Sequence, residues 1–338
     1  MRPDKGDAMT QASPGTGGKP VGDASAPGIT VAAVDVGSNT VRLLIAKVTA
    51  SGLRRLDRRS VVTRLAEGVD RTGRLHPEAV GRTLDVLATY AGLVAASGCD
   101  RVGVIATSAV RDATNRAIFT EPAQATMGVP ARVLSGEEEA AMAFAGTIGA
   151  GVGRPPLLVI DVGGGSTEFV AGSRAVEWAV SVDIGSVRLT ERLLPDRPAS
   201  AAAVAVAYRQ VAGLFAAQVQ VPHPVGTVVG VGGTFTALAA IHRRLPVHDP
   251  QRVHGTVVSA ADLEALVQRL ASLDLAATRA IPSLDPARAP VLLAGAVVAH
   301  AAVRHVGAAS VTASEHDILD GLALALVGTV ASARPPLA

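Results

Sequence analysis

The chain contains one short pattern twice, and this repetition constrains its fold more than any other feature of the sequence. The first copy is VAAVDVGSNTVRLLIA at residues 31–46, and the second is LLVIDVGGGSTEFVAG at residues 157–172. Each copy has an apolar run, an Asp-Val-Gly triplet, a small polar turn and a second apolar run. Apolar runs rich in β-branched residues around a glycine turn predict an antiparallel hairpin. The repetition therefore predicts two related α/β units.

The segments after each hairpin continue the same order of elements. Residues 53–68 alternate enough to predict a third strand, and residues 76–98 have helical spacing with Pro77 in the first turn. After the second hairpin, residues 176–185 predict a strand, followed by a helix capped by Ser186. Two such units that face each other would place both glycine turns in one cleft.

Composition sets the broad class. The 338 residues are 49% hydrophobic, which is enough for a large core and about two domains. The 31 basic and 29 acidic residues nearly balance and aromatics are only 2%, so the composition argues against a nucleic-acid partner. Residues 1–28 predict a disordered tail rather than a signal peptide. Cys99 is the single cysteine, which fits a cytoplasmic location.

The longest apolar run covers residues 289–303 and contains His300. It is shorter than the roughly 20 residues that span a bilayer, so it predicts a buried helix and no membrane partner.

The scarcity of lysine limits how the chain could bind phosphate. Its three lysines are Lys5, Lys19 and Lys47, and Lys19 follows a glycine but precedes Pro20. A P-loop requires Gly-Lys-Ser/Thr, so the chain has none. Any phosphate must therefore be held by backbone N–H groups, by arginine or by a metal ion.

Three glycine turns are the candidates for this task, because successive N–H groups can converge on an anion. Asp35 and Asp161 each end an apolar run, where a carboxylate could reach a cleft and hold hydrated Mg²⁺. The alternatives are ordinary hairpins and, for the third turn, an αβ loop with Thr234 as N-cap. The candidate phosphate-binding residues are Gly37, Ser38, Asn39 and Thr40 in the first turn, Gly163, Gly164, Gly165 and Ser166 in the second, and Gly232, Gly233 and Thr234 in the third.

The segment SGEEEAAM at residues 135–142 predicts a capping box of Ser135 and Glu138. Glu137 and Glu139 remain, and either they favour the positive end of the helix dipole or one of them is a general base. The residues alone leave both readings open.

Arginines are the remaining candidates. Arg111 follows a predicted strand end, where it could bind phosphate or pair with Asp112. A further group in the third strand region could line a path for a long polyanion or form a solvated face. Its members are Arg54, Arg55, Arg58, Arg59 and Arg64.

Five segments together resemble one family. They are DVGSNTVRLLIA, TSAVRDATN, VLSGEEEAAMAFAG, LLVIDVGGGSTEFV and VGVGGTFTALAA, and they closely resemble the exopolyphosphatase / guanosine pentaphosphate phosphohydrolase (Ppx/GppA) family over about residues 29–325. The resemblance implies an α/β fold of two ribonuclease-H-like domains of the actin/sugar-kinase/Hsp70 ATPase superfamily, facing across a cleft. It implies domain I at 29–134, joined by a C-terminal helix at 317–338, and domain II at 135–316.

The resemblance also implies residue roles. Glu139 matches the catalytic glutamate and Arg111 the phosphate-contacting arginine, while the acidic positions around the metal and phosphates are Asp35, Asp161 and Glu168. One departure is Leu319, where many relatives have an arginine whose loss could alter substrate preference or turnover.

The expected function is therefore Mg²⁺-dependent (or Mn²⁺-dependent) release of terminal phosphate from inorganic polyphosphate. The same site could instead convert guanosine pentaphosphate (pppGpp) to the tetraphosphate (ppGpp). A third hypothesis is a weakly catalytic sensor that binds ppGpp or another nucleotide. Dimers are common in the family, so a homodimer is a further expectation.

Overall fold

The computed structural model describes residues 28–222 and 225–328. The predicted tail at 1–28 therefore falls almost wholly outside the described residues, as does the end of the predicted helix at 317–338. The strands are β1 (Ile29–Val36), β2 (Thr40–Thr49), β3 (Gly52–Val62), β4 (Arg101–Ala106), β5 (Ala131–Val133), β6 (Leu157–Val162), β7 (Thr167–Gly172), β8 (Val176–Val182), β9 (Thr227–Val231), β10 (Val257–Ser259) and β11 (Ser310–Ala313). The α-helices are α1 (Val69–Thr72), α2 (Pro77–Ala96), α3 (Ser108–Asp112), α4 (Ala117–Met127), α5 (Gly136–Ile148), α6 (Ser186–Leu193), α7 (Ala201–Gln218), α8 (Gly232–His242), α9 (Pro250–Val253), α10 (Ala260–Ser272), α11 (Leu275–Arg279), α12 (Ala289–His305) and α13 (Ile318–Leu326).

The strands form two sheets with the same connectivity. The first sheet has the order β3-β2-β1-β4-β5, and the second has the order β10-β11-β9-β6-β7-β8. In each sheet a hairpin and a third antiparallel strand are followed by parallel neighbours: β1 pairs with β4 as β6 pairs with β9. The predicted duplication is therefore present in the fold, with β10 as an added edge strand.

Burial explains why the two repeated hairpins have continuous apolar runs. Helices cover both faces of each sheet, so β1 is fully buried from Val31 to Val36 and β6 along its whole length. Alternate residues of β1 belong to two different apolar clusters, with Ala32 and Val34 on one face and Val31 and Ala33 on the other. The edge strand β3 is half-exposed, which allows it to carry its arginines.

The observed helix caps confirm one predicted cap and differ from two others. Ser135 and Glu138 form the predicted capping box of α5. The N-cap of α6 is Gly185, not Ser186 as predicted, because Ser186 already lies in the first turn and its hydroxyl donates to the Gly163 carbonyl. Thr234 is likewise not a cap: it is the third residue of α8, and its hydroxyl donates to the Val162 carbonyl.

The apolar run at 289–303 forms the buried helix α12, as predicted, with most of its residues inside the core of the second sheet unit. By length and apolar composition alone, the stretch Pro286–His305 would suffice for a membrane span, but most of it is buried in the protein.

The C-terminal helix α13 returns to the first sheet. It packs on β1, β2 and β4, and it crosses α5 at very close range. A Cβ on Gly146 would lie 1.9 Å from the Asp317 carbonyl oxygen, and one on Gly321 would lie 2.0 Å from the Met142 carbonyl oxygen. The division into 29–134 with the C-terminal helix and 135–316 stays a prediction, because α13 packs both on the first sheet and on α5, which lies beyond residue 134.

Candidate active site

A cavity of about 90 Å³ lies between the two sheets, where the three glycine turns meet. This volume accommodates a phosphoryl group with a few waters. All eleven candidate phosphate-binding residues line it, and so do Asp35, Asp161 and Glu139. Two predicted site residues, Arg111 and Glu168, are not among the residues that line the cavity.

The second turn lies directly against the opposite domain. A Cβ on Gly164 would be 2.7 Å from the Cβ of Ser38, and one on Gly165 would be 2.3 Å from the Oγ of Ser108. Only glycine leaves room for this approach, which explains why the second turn has more glycine than a hairpin requires.

The second turn points its carbonyl groups away from the cavity. Each of its three glycine carbonyls accepts a hydrogen bond from the start of α6, at 2.8–3.2 Å. Within the described residues, no acceptor is bonded to the amides of Gly164, Gly165 and Ser166. Three N–H groups are thus left for an anion.

The first turn has a similar arrangement. The carbonyls of Ser38 and Asn39 accept hydrogen bonds from the chain that follows β3, at 2.8–3.0 Å. The hydroxyl of Ser38 is buried without a hydrogen-bond partner in the part of the chain that the structure describes. A buried polar atom of this kind suits a ligand that supplies the missing partner.

The third turn begins α8, and its first residue must be glycine for two reasons. Gly232 has φ of +78°, and a Cβ on it would lie 2.4 Å from Oδ1 of Asp161. The first turn of α8 has free N–H groups, and they open onto the same cavity because Gly232, Gly233 and Thr234 line it.

Asp35 and Asp161 form the acidic part of the cavity. Oδ1 of Asp35 is buried and, among the described residues, has no hydrogen-bond partner. Burial raises the pKa of Asp161 to about 7 and raises that of Asp35, although the Arg42 guanidinium acts in the opposite direction on both.

The acidic pair fits a divalent cation. A hard cation that binds oxygen would pair with the two buried carboxylates and satisfy the orphaned oxygen of Asp35. Over the described ranges no group of three or more acidic, histidine or cysteine side chains is placed to hold an ion alone. Water and phosphate oxygens would have to complete the coordination, which is the usual situation for Mg²⁺.

Arg42 stands in the first hairpin where Glu168 stands in the second, so the sequence predicts that the two hairpins bring different charges to one phosphate. Its Nε donates to Oδ2 of Asp35 at 2.9 Å, and its Nη1 contacts Oδ2 of Asp317 at 2.5 Å. The hairpin registers agree with this equivalence, because Arg42 faces Asp35 across β1 and β2 as Glu168 faces Asp161 across β6 and β7. The two hairpins thus present opposite charges at equivalent positions.

Glu139 is the glutamate of the SGEEEA segment that reaches the cavity. Glu138 is occupied by the capping box and by Arg132, and Glu137 is exposed. Burial raises the pKa of Glu139 to about 7, and Arg111, whose Nη1 donates to Oε2 of Glu139 at 3.0 Å, lowers it. A base with this pKa is partly ionised near neutral pH.

Glu168 lies behind Glu139. The Ser181 hydroxyl donates to its Oε1 at 2.7 Å, whereas Oε2 is buried without a partner in the described chain. Burial and the neighbouring Glu139 raise its pKa well above the usual range. The role of Glu168 near a metal stays a prediction.

A second cavity of about 330 Å³ adjoins the first, and the two share Arg42, Gly232, Gly233 and Arg288. Of the β3 arginines, Arg58 and Arg59 line this second cavity. Its basic members are Arg42, Arg58, Arg59, Arg288 and His248, opposed by Asp285, Glu315 and Asp317.

Arg288 is a cavity residue that the sequence reasoning did not propose, because no local pattern marks it. Its Nη2 donates weakly to the Ser60 hydroxyl at 3.3 Å, and within the described ranges it has no carboxylate partner within ion-pair distance. Burial and the nearby Arg42 lower the pKa of Arg288. Arg288 lies between the two cavities and has no carboxylate partner at ion-pair distance in the described chain, so it is suited to bind an anionic ligand.

Leu319, the departure from the family pattern, lines neither cavity, although its neighbour Ile318 lines the first. It is fully buried in the apolar cluster between α13 and β1 and β2. At this site it contributes to packing.

The chain is similar to proteins of one phosphatase family in sequence and in fold. The family model described as the Ppx/GppA phosphatase family matches residues 44–329. Exopolyphosphatase 2 of Mycobacterium tuberculosis is 41% identical over 88% of this chain and 98% of its own length. A solved exopolyphosphatase-like protein superposes with a TM-score of 0.81 at 34% identity, covering 88% of this chain and 97% of its own. The Aquifex aeolicus member of the Ppx/GppA family gives a TM-score of 0.76 at 29% identity over 90% and 99% of the two chains.

Proposed function

The chain belongs to the Ppx/GppA phosphatase family, whose two facing α/β domains it has, and is a phosphoanhydride hydrolase; we propose that it releases terminal orthophosphate from inorganic polyphosphate. The observation that carries the proposal is the convergence of three glycine turns and Glu139 on one cavity of phosphoryl size.

The terminal phosphoryl group occupies this cavity. Amides of the three turns donate to its oxygens, and the helix N-terminus of α8 adds a favourable dipole. In the first two turns, the carbonyl groups that face away from the cavity already accept hydrogen bonds, so the amides need little reorganisation as charge develops in the transition state.

Glu139 accepts a proton from the attacking water. The water oxygen forms the new bond to phosphorus, the anhydride P–O bond breaks, and its oxygen leaves with the shortened chain. Arg111 holds the carboxylate of Glu139 in place at 3.0 Å.

Mg²⁺, or Mn²⁺ in its place, supplies positive charge when bound. Asp35 and Asp161 would hold it, and Arg42 fixes the orientation of Asp35 by bonding its other carboxylate oxygen.

The second cavity supports polyphosphate over pppGpp. It continues from the catalytic cavity past Arg288 and is bordered by Arg58, Arg59 and His248. No phenylalanine, tyrosine or tryptophan is among the described residues that line it. A chain of phosphates could pair with Arg288, which has no carboxylate within ion-pair distance among the described residues, whereas a guanine base finds no large aromatic ring on which to stack.

The other expectations go with this function. We expect the enzyme in the cytoplasm, without nucleic-acid or membrane partners, and a homodimer remains an expectation from the family.

A paired assay tests the proposal. Phosphate release from long-chain polyphosphate and from pppGpp is measured on one preparation over a Mg²⁺ titration. We expect kcat/KM for polyphosphate to be at least about tenfold higher, a difference of about 1.4 kcal/mol in transition-state stabilisation. A preference for pppGpp would contradict the proposed substrate. Tight ppGpp binding without turnover of either compound would indicate a sensor.

A further inference from the structure

Arg188, on α6 of the second domain, bonds the second glycine turn and also makes two contacts that the proposed mechanism has not used. Its Nε donates to the Gly165 carbonyl at 2.9 Å, its Nη1 to Oδ1 of Asp70 at 2.7 Å and its Nη2 to Oδ2 of Asp112 at 2.6 Å. The first partner belongs to the second glycine turn, and both aspartates belong to the first domain. One guanidinium therefore connects the phosphate turn to the opposite side of the cleft.

The surroundings make these contacts stronger than ordinary surface ion pairs. The side chains of Arg188 and Asp70 are each only 14% exposed, and that of Asp112 is 29% exposed. Asp70 also accepts from Arg192, and although burial acts to raise its pKa, the two arginines hold that pKa below its usual range. The two aspartates thus meet three arginines at the domain boundary, because Oδ1 of Asp112 also lies 3.8 Å from Nε of Arg111.

Further contacts place this cluster next to the catalytic groups. The hydroxyl of Ser108, which lines the cavity, donates to the same Oδ2 of Asp112 at 3.3 Å. Asp112 follows Arg111, the partner of Glu139, along α3. Val187, beside Arg188 on α6, packs into the apolar cluster of the first domain.

We propose that Arg188 is a positioning residue that couples closure of the two domains to the geometry of the second phosphate turn. When the domains are closed, the two aspartates hold the guanidinium so that its Nε fixes the Gly165 carbonyl, and the amides of the turn face the cavity. When the domains separate, the guanidinium loses both aspartates and the Gly165 carbonyl loses a fixed donor. This inference rests on the proposed function for its kinetic readout, but its structural readouts are independent of the substrate.

The kinetic test compares Arg188→Ala with Arg192→Ala. Arg192 contacts Asp70 but not the turn, so it is a matched control for loss of a boundary charge. If fewer molecules are in the closed form, a smaller fraction of the protein can bind substrate, and the apparent affinity for polyphosphate falls in proportion to that fraction. We expect Arg188→Ala to raise KM for polyphosphate at least about fivefold, with kcat within about twofold, and Arg192→Ala to change KM less than twofold. Equal KM values in the two variants would overturn the proposal.

The conservative variant sharpens the kinetic result. A lysine in Arg188→Lys pairs with one aspartate but cannot also hold the Gly165 carbonyl in the same geometry. We expect an intermediate KM, and a wild-type KM would contradict joint action of the three contacts.

The structural test measures domain separation without substrate. In a Cys99→Ser background, the exposed positions Glu121→Cys and Gln218→Cys carry a dye pair for single-molecule FRET, one on each domain. We expect a lower-efficiency population in Arg188→Ala, and weaker binding of orthophosphate by calorimetry. Unchanged FRET and phosphate affinity would overturn the proposal. If wild type does not hydrolyse polyphosphate, the proposed substrate fails while these two measurements still decide the role of Arg188.

Discussion

Nη1 of Arg111 donates a hydrogen bond to Oε2 of Glu139 at 3.0 Å, joining α3 of one domain to the capped helix α5. Burial raises the pKa of Glu139 to about 7, and Asp35 and Asp161 act in the same direction, while Arg111 opposes them. A residue that does not itself line the cavity thus lowers the pKa of the proposed base, against the larger effect of burial.

Glu139→Gln should abolish most of the activity. A positioned general base contributes about 10²–10⁴-fold, so we expect kcat for phosphate release to fall by at least about 100-fold. Glu137→Gln is the matched control, since Glu137 is exposed on the same turn and should keep kcat within about twofold. Near wild-type turnover in Glu139→Gln would show that another group activates the water.

Arg111→Gln should move the pH profile. The base must be ionised, so kcat/KM falls as pH drops below the pKa of Glu139. Removing the guanidinium raises that pKa, and the acidic midpoint should shift upward by about one pH unit, apart from any loss of rate. Arg132→Gln, which alters only the contact to Glu138, should leave the midpoint unchanged. An unshifted midpoint in Arg111→Gln would argue against Glu139 as the titrating group.

Asp161→Asn should weaken Mg²⁺ binding without lowering the stability of the metal-free protein. Asp161 is buried near Asp35, Glu139 and Glu168, so loss of its charge relieves repulsion in the metal-free protein. We expect the Tm in EDTA to equal or exceed that of wild type, while the rise in Tm on adding Mg²⁺ largely disappears. Asp85→Asn, on the exposed face of α2, is the control for both measurements. A full Mg²⁺ response in Asp161→Asn would remove this residue from the proposed site.

Gly146→Ala should destabilise the contact between α5 and α13. Its added methyl would lie 1.9 Å from the Asp317 carbonyl oxygen, which requires one helix to shift. We expect the free energy of unfolding to fall by about 2–3 kcal/mol in denaturant titrations. Gly213→Ala, in an open position of α7, should instead raise it by about 0.5–1 kcal/mol. If both variants behaved alike, helix propensity rather than close packing would govern these positions.

The residues of the three turns could be predicted from the chain because their physical requirements are local. An apolar strand, a glycine turn and a second strand form one hairpin, and both hairpins place their aspartates at the same strand end. The capping box is equally local, and it assigned Glu138 correctly. The cap of α6 was misread because the helix already begins at Ser186, which leaves the extended Gly185 as its N-cap.

What the sequence by itself determined is the duplicated α/β plan, the three glycine turns, the buried apolar helix and the absence of a P-loop, since each depends on periodicity or on adjacent residues. Only the tertiary structure decided that Arg42 bonds Asp317, 275 positions away, that Arg288 stands between two cavities, and that Glu168 lies behind Glu139. Charges gain partners through the packing of distant elements, and no local pattern encodes which carboxylate will meet which guanidinium once the two domains close.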